Sequence, residues 1–148
     1  MIERFKTFTV LITKLNRCVH KIKTEEMAEF NLKSPHVSCL YYLYKGEKLT
    51  ANELCSICAE DKASISRSID YLEQNGYVQC DSDAKKRYNA NFTLTEKGSK
   101  IAGSIAEKID RVLECSSDGL DEQERATMYK SLDVVLKNLE KFCEKYSK

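Results

Sequence analysis

Eight side chains between residues 62 and 87 are equipped for recognition chemistry. Lys62, Ala63, Ser64, Ser66 and Arg67 fall within "DKASISRSIDYLEQNGYV", and Lys85, Lys86 and Arg87 stand in a row at the end of "DSDAKKR". Arginine presents a planar fork of donors that grips two acceptors at once, whereas lysine is a compact point charge. Serine hydroxyls donate or accept, and an alanine among them lets another surface come close. The combination suits a partner rich in acceptors and negative charge. It does not suit bond-making. The chain has no Ser/His/Asp order, no glycine-rich phosphate loop and no carboxylates at metal spacing, and His20 and His36 fall on different expected helices. The expectation is no catalytic residue, no cofactor and no enzyme. Cys55-x-x-Cys58 lacks the second Cys/His pair of a zinc site, so no metal is expected either.

Asp61 is a fitting N-cap for a helix over 62–75, and Asn75-Gly76 supplies the left-handed residue that ends it. At about 100° per residue, Ile65, Ile69 and Leu72 share an inward face, while Ala63, Arg67, Asp70 and Gln74 point away. A competing reading pairs Arg67 with Asp70 or Glu73 along the helix surface. Upstream, Thr50 and Glu53 form a capping box that starts a short helix over 51–58. Downstream, "YVQC" and "YNANFTL" read as two strands, the second alternating Tyr88, Ala90, Phe92 and Leu94. They make a hairpin around "DSDAKKR", where Asp81 and Asp83 temper the basic run.

The flanks are helical. Ile2, Phe5, Phe8, Ile12, Leu15, Val19 and Ile22 recur at three- and four-residue steps, one amphipathic stripe over 2–23. Ser34-Pro35 opens a second helix and Lys45-Gly46 closes it. Thr95 starts a helix with Ile101, Ile105, Ile109 and Val112 on one side. After "SSDG", Asp121 and Glu124 start the last, which carries Met128, Leu132, Val135, Leu139, Phe142 and Tyr146. The stripes on 2–23, 96–115 and 121–146 are too long for a small domain to cover, so they ask for a second copy.

Composition narrows the partner. With 24 Lys+Arg against 23 Asp+Glu, the net charge of +1 gives no global attraction to a polyanion, so any such site is a local patch. A mean hydropathy of -0.49 and 148 residues suit one domain with a core. No apolar run approaches the roughly 20 residues that cross a bilayer, and "MIERFKTFTVLITKLNR" is unlike a signal peptide, so a cytoplasmic location without membrane contact is expected. Seven cysteines, odd in number and without framework spacing, suit free thiols, read mostly as small apolar fillers.

A short helix over 51–58, a tight turn, a helix over 62–75 and a hairpin over 77–94 stand in the order of a winged helix-turn-helix. Duplex DNA is the partner that fits. Its major groove, about 12 Å wide, accepts one helix, read from the solvent face near that helix's N-terminus. Arg67 can offer paired donors to O6 and N7 of guanine, and Lys85, Lys86 and Arg87 can reach phosphates or the minor groove. The fold class is mainly α with a small β-hairpin wing.

The segments "LTANELCSICAEDKASISRSIDYLEQNGYVQC" and "KKRYNANFTLTEKG" resemble the MarR family of bacterial transcriptional regulators. Ser66, Arg67, Leu72, Gly76, Arg87, Leu94, Thr95 and Gly98 stand where that family's pattern places them, and the resemblance spans essentially the whole chain. One departure is visible. Many members carry Asp-x-Arg six residues before the leucine, whereas Arg87 is seven before Leu94 and Lys85 replaces the acid, as an extra residue at the wing tip would produce. The resemblance implies a single MarR-like unit over 1–148, with a winged helix-turn-helix over 34–95 and dimerisation helices over 1–33 and 96–148. It also implies a homodimer reading a pseudo-palindromic operator with half-sites about 10 bp apart. Repression is the commoner mode in such families.

The resemblance further implies a small aromatic or phenolic effector in a crevice beside the dimer helices, where His36, Cys39, Tyr41, Tyr42 and Tyr44 fall; the alternative places those aromatics in the core. Two other variants stay open: a thiol- or metal-responsive regulator, with Cys18 or Cys55 and Cys58 as candidates, and a winged helix used for protein contacts without DNA.

Overall fold

The computed structural model describes residues 2–81 and 89–147. The expected wing-tip cations Lys85, Lys86 and Arg87, with Tyr88, lie outside the described residues. The elements are α1 (Ile2–Glu26), a 3-10 turn (Ala28–Phe30), α2 (Ser34–Gly46), β1 (Leu49–Thr50), α3 (Ala51–Cys58), α4 (Lys62–Gln74), β2 (Val78–Cys80), β3 (Asn91–Leu94), α5 (Glu96–Ser116) and α6 (Glu122–Glu144). They fall into two compact units, 1–109 and 110–148.

The first unit is built on local signals that the chain spells out. Glu53 N–H donates to Thr50 Oγ1 at 3.2 Å and Thr50 N–H donates back to Glu53 Oε2 at 2.7 Å, so two orphan amides of α3 are satisfied at once. Ser64 N–H donates to Asp61 Oδ1 at 2.7 Å and starts α4. Gly76, at φ +74°, lets the chain leave α4 in the left-handed conformation. Pro35 takes the second position of α2, where its missing N–H leaves no gap.

Packing then closes the core. Leu40 and Leu43 of α2, Leu54 of α3, Ile65 and Leu72 of α4, Phe92 of β3 and Ile105 of α5 are all fully buried. Each such side chain is worth about 1.5–3 kcal/mol relative to exposure. The expected inward face of α4 is the buried one: Ile65, Ile69 and Leu72, joined by Ser68.

The sheet differs from the expected hairpin. It has three antiparallel strands in the order β1-β3-β2, with Leu49 opposite Phe92 and Val78 opposite Leu94. A two-residue strand carries no periodicity, and β1 exists because β3 offers it an unpaired edge. The 3-10 turn after α1, closed by Asn31 at φ +54°, was likewise not signalled.

The cysteines also depart from expectation. Cys39 is buried, but Cys55, Cys58 and Cys80 are half-buried, and Cys18, Cys115 and Cys143 are exposed. Most are therefore not core fillers.

α5 meets the sheet through one close approach. A Cβ on Gly98 would lie 1.8 Å from the Tyr77 carbonyl oxygen, so only glycine fits. Thr95 holds the same junction: its hydroxyl donates to the Gly76 carbonyl at 2.6 Å and accepts from Gly98 N–H at 3.0 Å. The last turn of α4, the start of the wing and the start of α5 are thus one fastened corner.

The second unit contains α6, which begins with a capping box: Glu124 N–H donates to Asp121 Oδ1 at 2.8 Å, and Asp121 N–H to Glu124 Oε2 at 2.9 Å. No residue of α6 is buried, and Met128, Leu132, Leu136, Leu139 and Phe142 are exposed. In the first unit, α1 leaves Phe5, Phe8, Ile12, Leu15, Val19 and Ile22 equally uncovered.

Candidate nucleic-acid interface

Asp61 fixes where α4 starts, and the buried stripe fixes which way it is turned. The first two turns therefore present Lys62, Ala63, Ser66 and Arg67 to solvent, with Ser64 half-buried. These five expected residues share one end of one rigid helix. No ion pair joins Arg67 to another described residue, so the expected alternative of a surface pair with Asp70 or Glu73 does not occur. Its guanidinium keeps both forks available for a partner.

Two hollows flank this surface. On one side a hollow of about 490 Å³ is lined by Asn52 and Cys55 of α3, Lys62, Ser66 and Ile69 of α4, and Phe92 of β3. On the other, a cleft of about 740 Å³ runs between the end of α1, the start of α2 and α4. Its walls include Asn31, Lys33, His36, Ser64, Arg67 and Tyr71. Arg67 and Ser64 thus belong both to the exposed end of α4 and to the cleft.

The cleft has one rigid aromatic wall. His36 stacks on Tyr71 with centroids 4.2 Å apart and planes within 5°. Lys33 N–H donates to His36 Nδ1 at 3.1 Å, which places the ring proton on Nε2, and Tyr71 Oη donates to the Asn31 carbonyl at 3.3 Å. Burial, and next the Lys33 ammonium, hold His36 below its ordinary value, so the ring stays neutral.

Of the five residues expected beside an effector, only His36 lines this cleft. Cys39 is in the core, Tyr41 and Tyr42 pack against that core and meet edge to face at 5.4 Å, and Tyr44 lies over Gly103. Sequence reasoning missed Asn31, Lys33 and Tyr71. Part of that signal was readable, because Ser64, Arg67 and Tyr71 follow at three- and four-residue steps and share a helix edge. The pairing of Tyr71 with His36, 35 residues away, was not. Among the described residues no group of three or more His, Cys, Asp or Glu is placed to hold a metal, and no helix is long and apolar enough to cross a membrane.

Known proteins share this architecture. Residues 36–113 match the family model described as a winged helix DNA-binding domain. An uncharacterized HTH-type transcriptional regulator of Bacillus subtilis (strain 168), YybA, is 23% identical over 88% of this chain and 87% of its own length. S. aureus MepR, in its DNA-binding conformation, superposes with a TM-score of 0.81 at 21% identity, over 90% of this chain and 98% of MepR. The MarR protein from Peptoclostridium difficile superposes at 0.80 with 24% identity, over 95% of this chain and 92% of its own. With an N-capped, outward-facing α4, a three-stranded wing base and these relatives, the chain belongs to the winged helix DNA-binding domain family and has the fold of the MarR regulators.

Proposed function

We propose that this DNA-binding winged-helix protein is a homodimeric repressor that reads a pseudo-palindromic operator. Arg67 reads a base edge in the major groove, Lys62, Ser64 and Ser66 bond bases or phosphates, and Ala63 permits the close approach. Lys85, Lys86 and Arg87 hold the adjoining phosphates from the wing. The observation that carries this reading is the unpaired, exposed Arg67 on the first turns of a helix whose other face is locked into the core. Dimerisation is supported by the uncovered apolar stripes of α1 and α6, which a second copy would bury. Two copies place two α4 helices on successive major grooves, about 10 bp apart.

A small aromatic or phenolic effector releases the DNA from the cleft beside α4. Stacking against the His36–Tyr71 pair would favour a flat ligand, and Lys33 and Arg67 would favour an acidic one. Binding there competes for Arg67 itself. The test is a mobility-shift assay on the DNA flanking the protein's own gene, run across a salt series and then with candidate effectors. Affinity should fall with rising salt with a slope of about -0.9 per phosphate contacted. No shift on any duplex in dilute buffer would leave a protein-interaction module as the reading.

A further inference from the structure

Three thiols meet where α3 packs on α2. Cys39 of α2 is fully enclosed, Cys58 is the last residue of α3 and half-buried, and Cys55 sits one turn before it against the same core. The side chains of Cys39 and Cys58 are hydrogen-bonded to each other across the two helices. Lys23 reaches this spot from α1, its Nζ donating to Ser38 Oγ at 3.3 Å, next in the chain to Cys39. A cysteine that only fills space needs neither a thiol partner nor an ammonium nearby.

We propose that Cys39 and Cys58 are a peroxide-oxidisable dithiol that, once closed, locks α3 to α2. The roles follow from placement. Cys58 is the reachable sulfur. The Cys39 S–H donates to it and, with the Lys23 charge, draws its thiol below the ordinary value against the opposing effects of burial and Glu60. Cys39 keeps its proton, because that bond and its burial push its own thiol up.

The Cys58 thiolate attacks one oxygen of a hydroperoxide. The O–O bond breaks, an S–O bond forms, and the departing hydroxide takes a proton to become water. Cys39 sulfur then attacks Cys58 sulfur. The S–O bond breaks, the S–S bond forms, and the hydroxide leaves as water with the Cys39 proton. Two thiols lose two electrons and the peroxide is reduced.

The consequence for DNA rests on the function proposed above. A covalent link is shorter than a thiol contact, so closing it draws the end of α3 toward α2. The chain then turns through Ala59, at φ +52°, into Asp61, the cap of α4. The base of the reading helix moves with it.

The experiment uses the full chain, reduced, freed of reductant and exposed to hydrogen peroxide, then alkylated and digested with trypsin. The expected product joins peptides 34–45 and 49–62 within one chain, and dithiothreitol reverses it. It persists in Cys55→Ser and is lost in Cys58→Ser, a half-buried position that tolerates the change even where Cys39→Ser fails to fold. Pairing of Cys55 with Cys58, pairing only between chains through Cys18, Cys115 or Cys143, or no pairing at all overturns the dithiol. Oxidation should change duplex affinity at least severalfold, and unchanged affinity in the crosslinked protein overturns the lock. The crosslink is read without DNA, whereas a reduced protein that ignores duplex DNA sinks the DNA-binding reading alone.

Discussion

α4 and α6 are both amphipathic, both capped by an aspartate, and opposite in fate. α4 buries Ile65, Ile69 and Leu72 against α2, α3 and the sheet, and is left with a polar face to offer. α6 buries nothing and exposes Leu132, Leu136, Leu139 and Phe142. The same 3.6-residue pattern therefore says that a helix needs a partner without saying whether the partner lies in the same chain. One helix is finished by folding, and the other asks for association. Recognition of a ligand needs the first kind, because only a helix fixed by its back can hold its front still.

The most damaging change to this contrast would be a charge on the α6 stripe. Leu132→Glu should leave the helical signal intact, convert the dimer to monomer in analytical ultracentrifugation, and cut operator affinity by roughly 10²–10⁴-fold, because two half-sites are no longer engaged together. A variant that remains dimeric would show that α6 is not the associating surface.

Leu54→Ala tests the finished side. Leu54 is fully enclosed, so the cavity should cost about 2–5 kcal/mol in denaturant unfolding. Leu136→Ala, on the uncovered face, should cost far less in a protein kept monomeric by Leu132→Glu. Equal losses would mean that the α6 stripe is already covered within one chain.

Arg67→Ala sharpens the role of the exposed face. Specific operator affinity should fall by about 1–3 kcal/mol while binding to random duplex changes little. Equal loss on both would reassign Arg67 to a phosphate contact. Neutralising Lys85, Lys86 and Arg87 should weaken binding on every duplex and flatten the salt dependence.

The smallest effect lies where α4 meets α2. His36 is held neutral in the folded chain, whereas in the unfolded chain it titrates at its ordinary value of 6.5. Below that pH the unfolded chain takes up a proton that the folded one resists, so the contribution is complete above 6.5 and is lost as the pH falls toward the lower folded value. Thermal melts should therefore drop between about pH 7 and about pH 5, and His36→Gln, which keeps an acceptor for Lys33 N–H, should flatten that drop. An unchanged slope would assign the acid sensitivity elsewhere.

The capping residues were the readable part of this fold. Thr50 with Glu53, Asp61, Gly76 and Asp121 with Glu124 act on amides within three residues, so the sequence order that signals them also performs the job. The exposed end of α4 was readable for the same reason: a cap sets the start and the apolar stripe sets the rotation. β1 was not, nor were the 3-10 turn after α1, the His36–Tyr71 wall, the Cys39–Cys58 contact and the meeting of Gly98 with the Tyr77 carbonyl. Each of these except the turn joins residues from separate elements, and the turn has too few residues to show a period.

The residue order alone settled which segments are helices, where they begin, which face of each is apolar, and that Lys62 to Arg67 share the first turns of one helix. Only the tertiary structure decided that Leu49 and Thr50 form a strand, that Ser64 and Arg67 edge a cleft with His36 and Tyr71, and that two thiols from different helices touch. The reason is range: caps and stripes act within about one or two turns, whereas pairing and stacking depend on chain distances that no local pattern encodes.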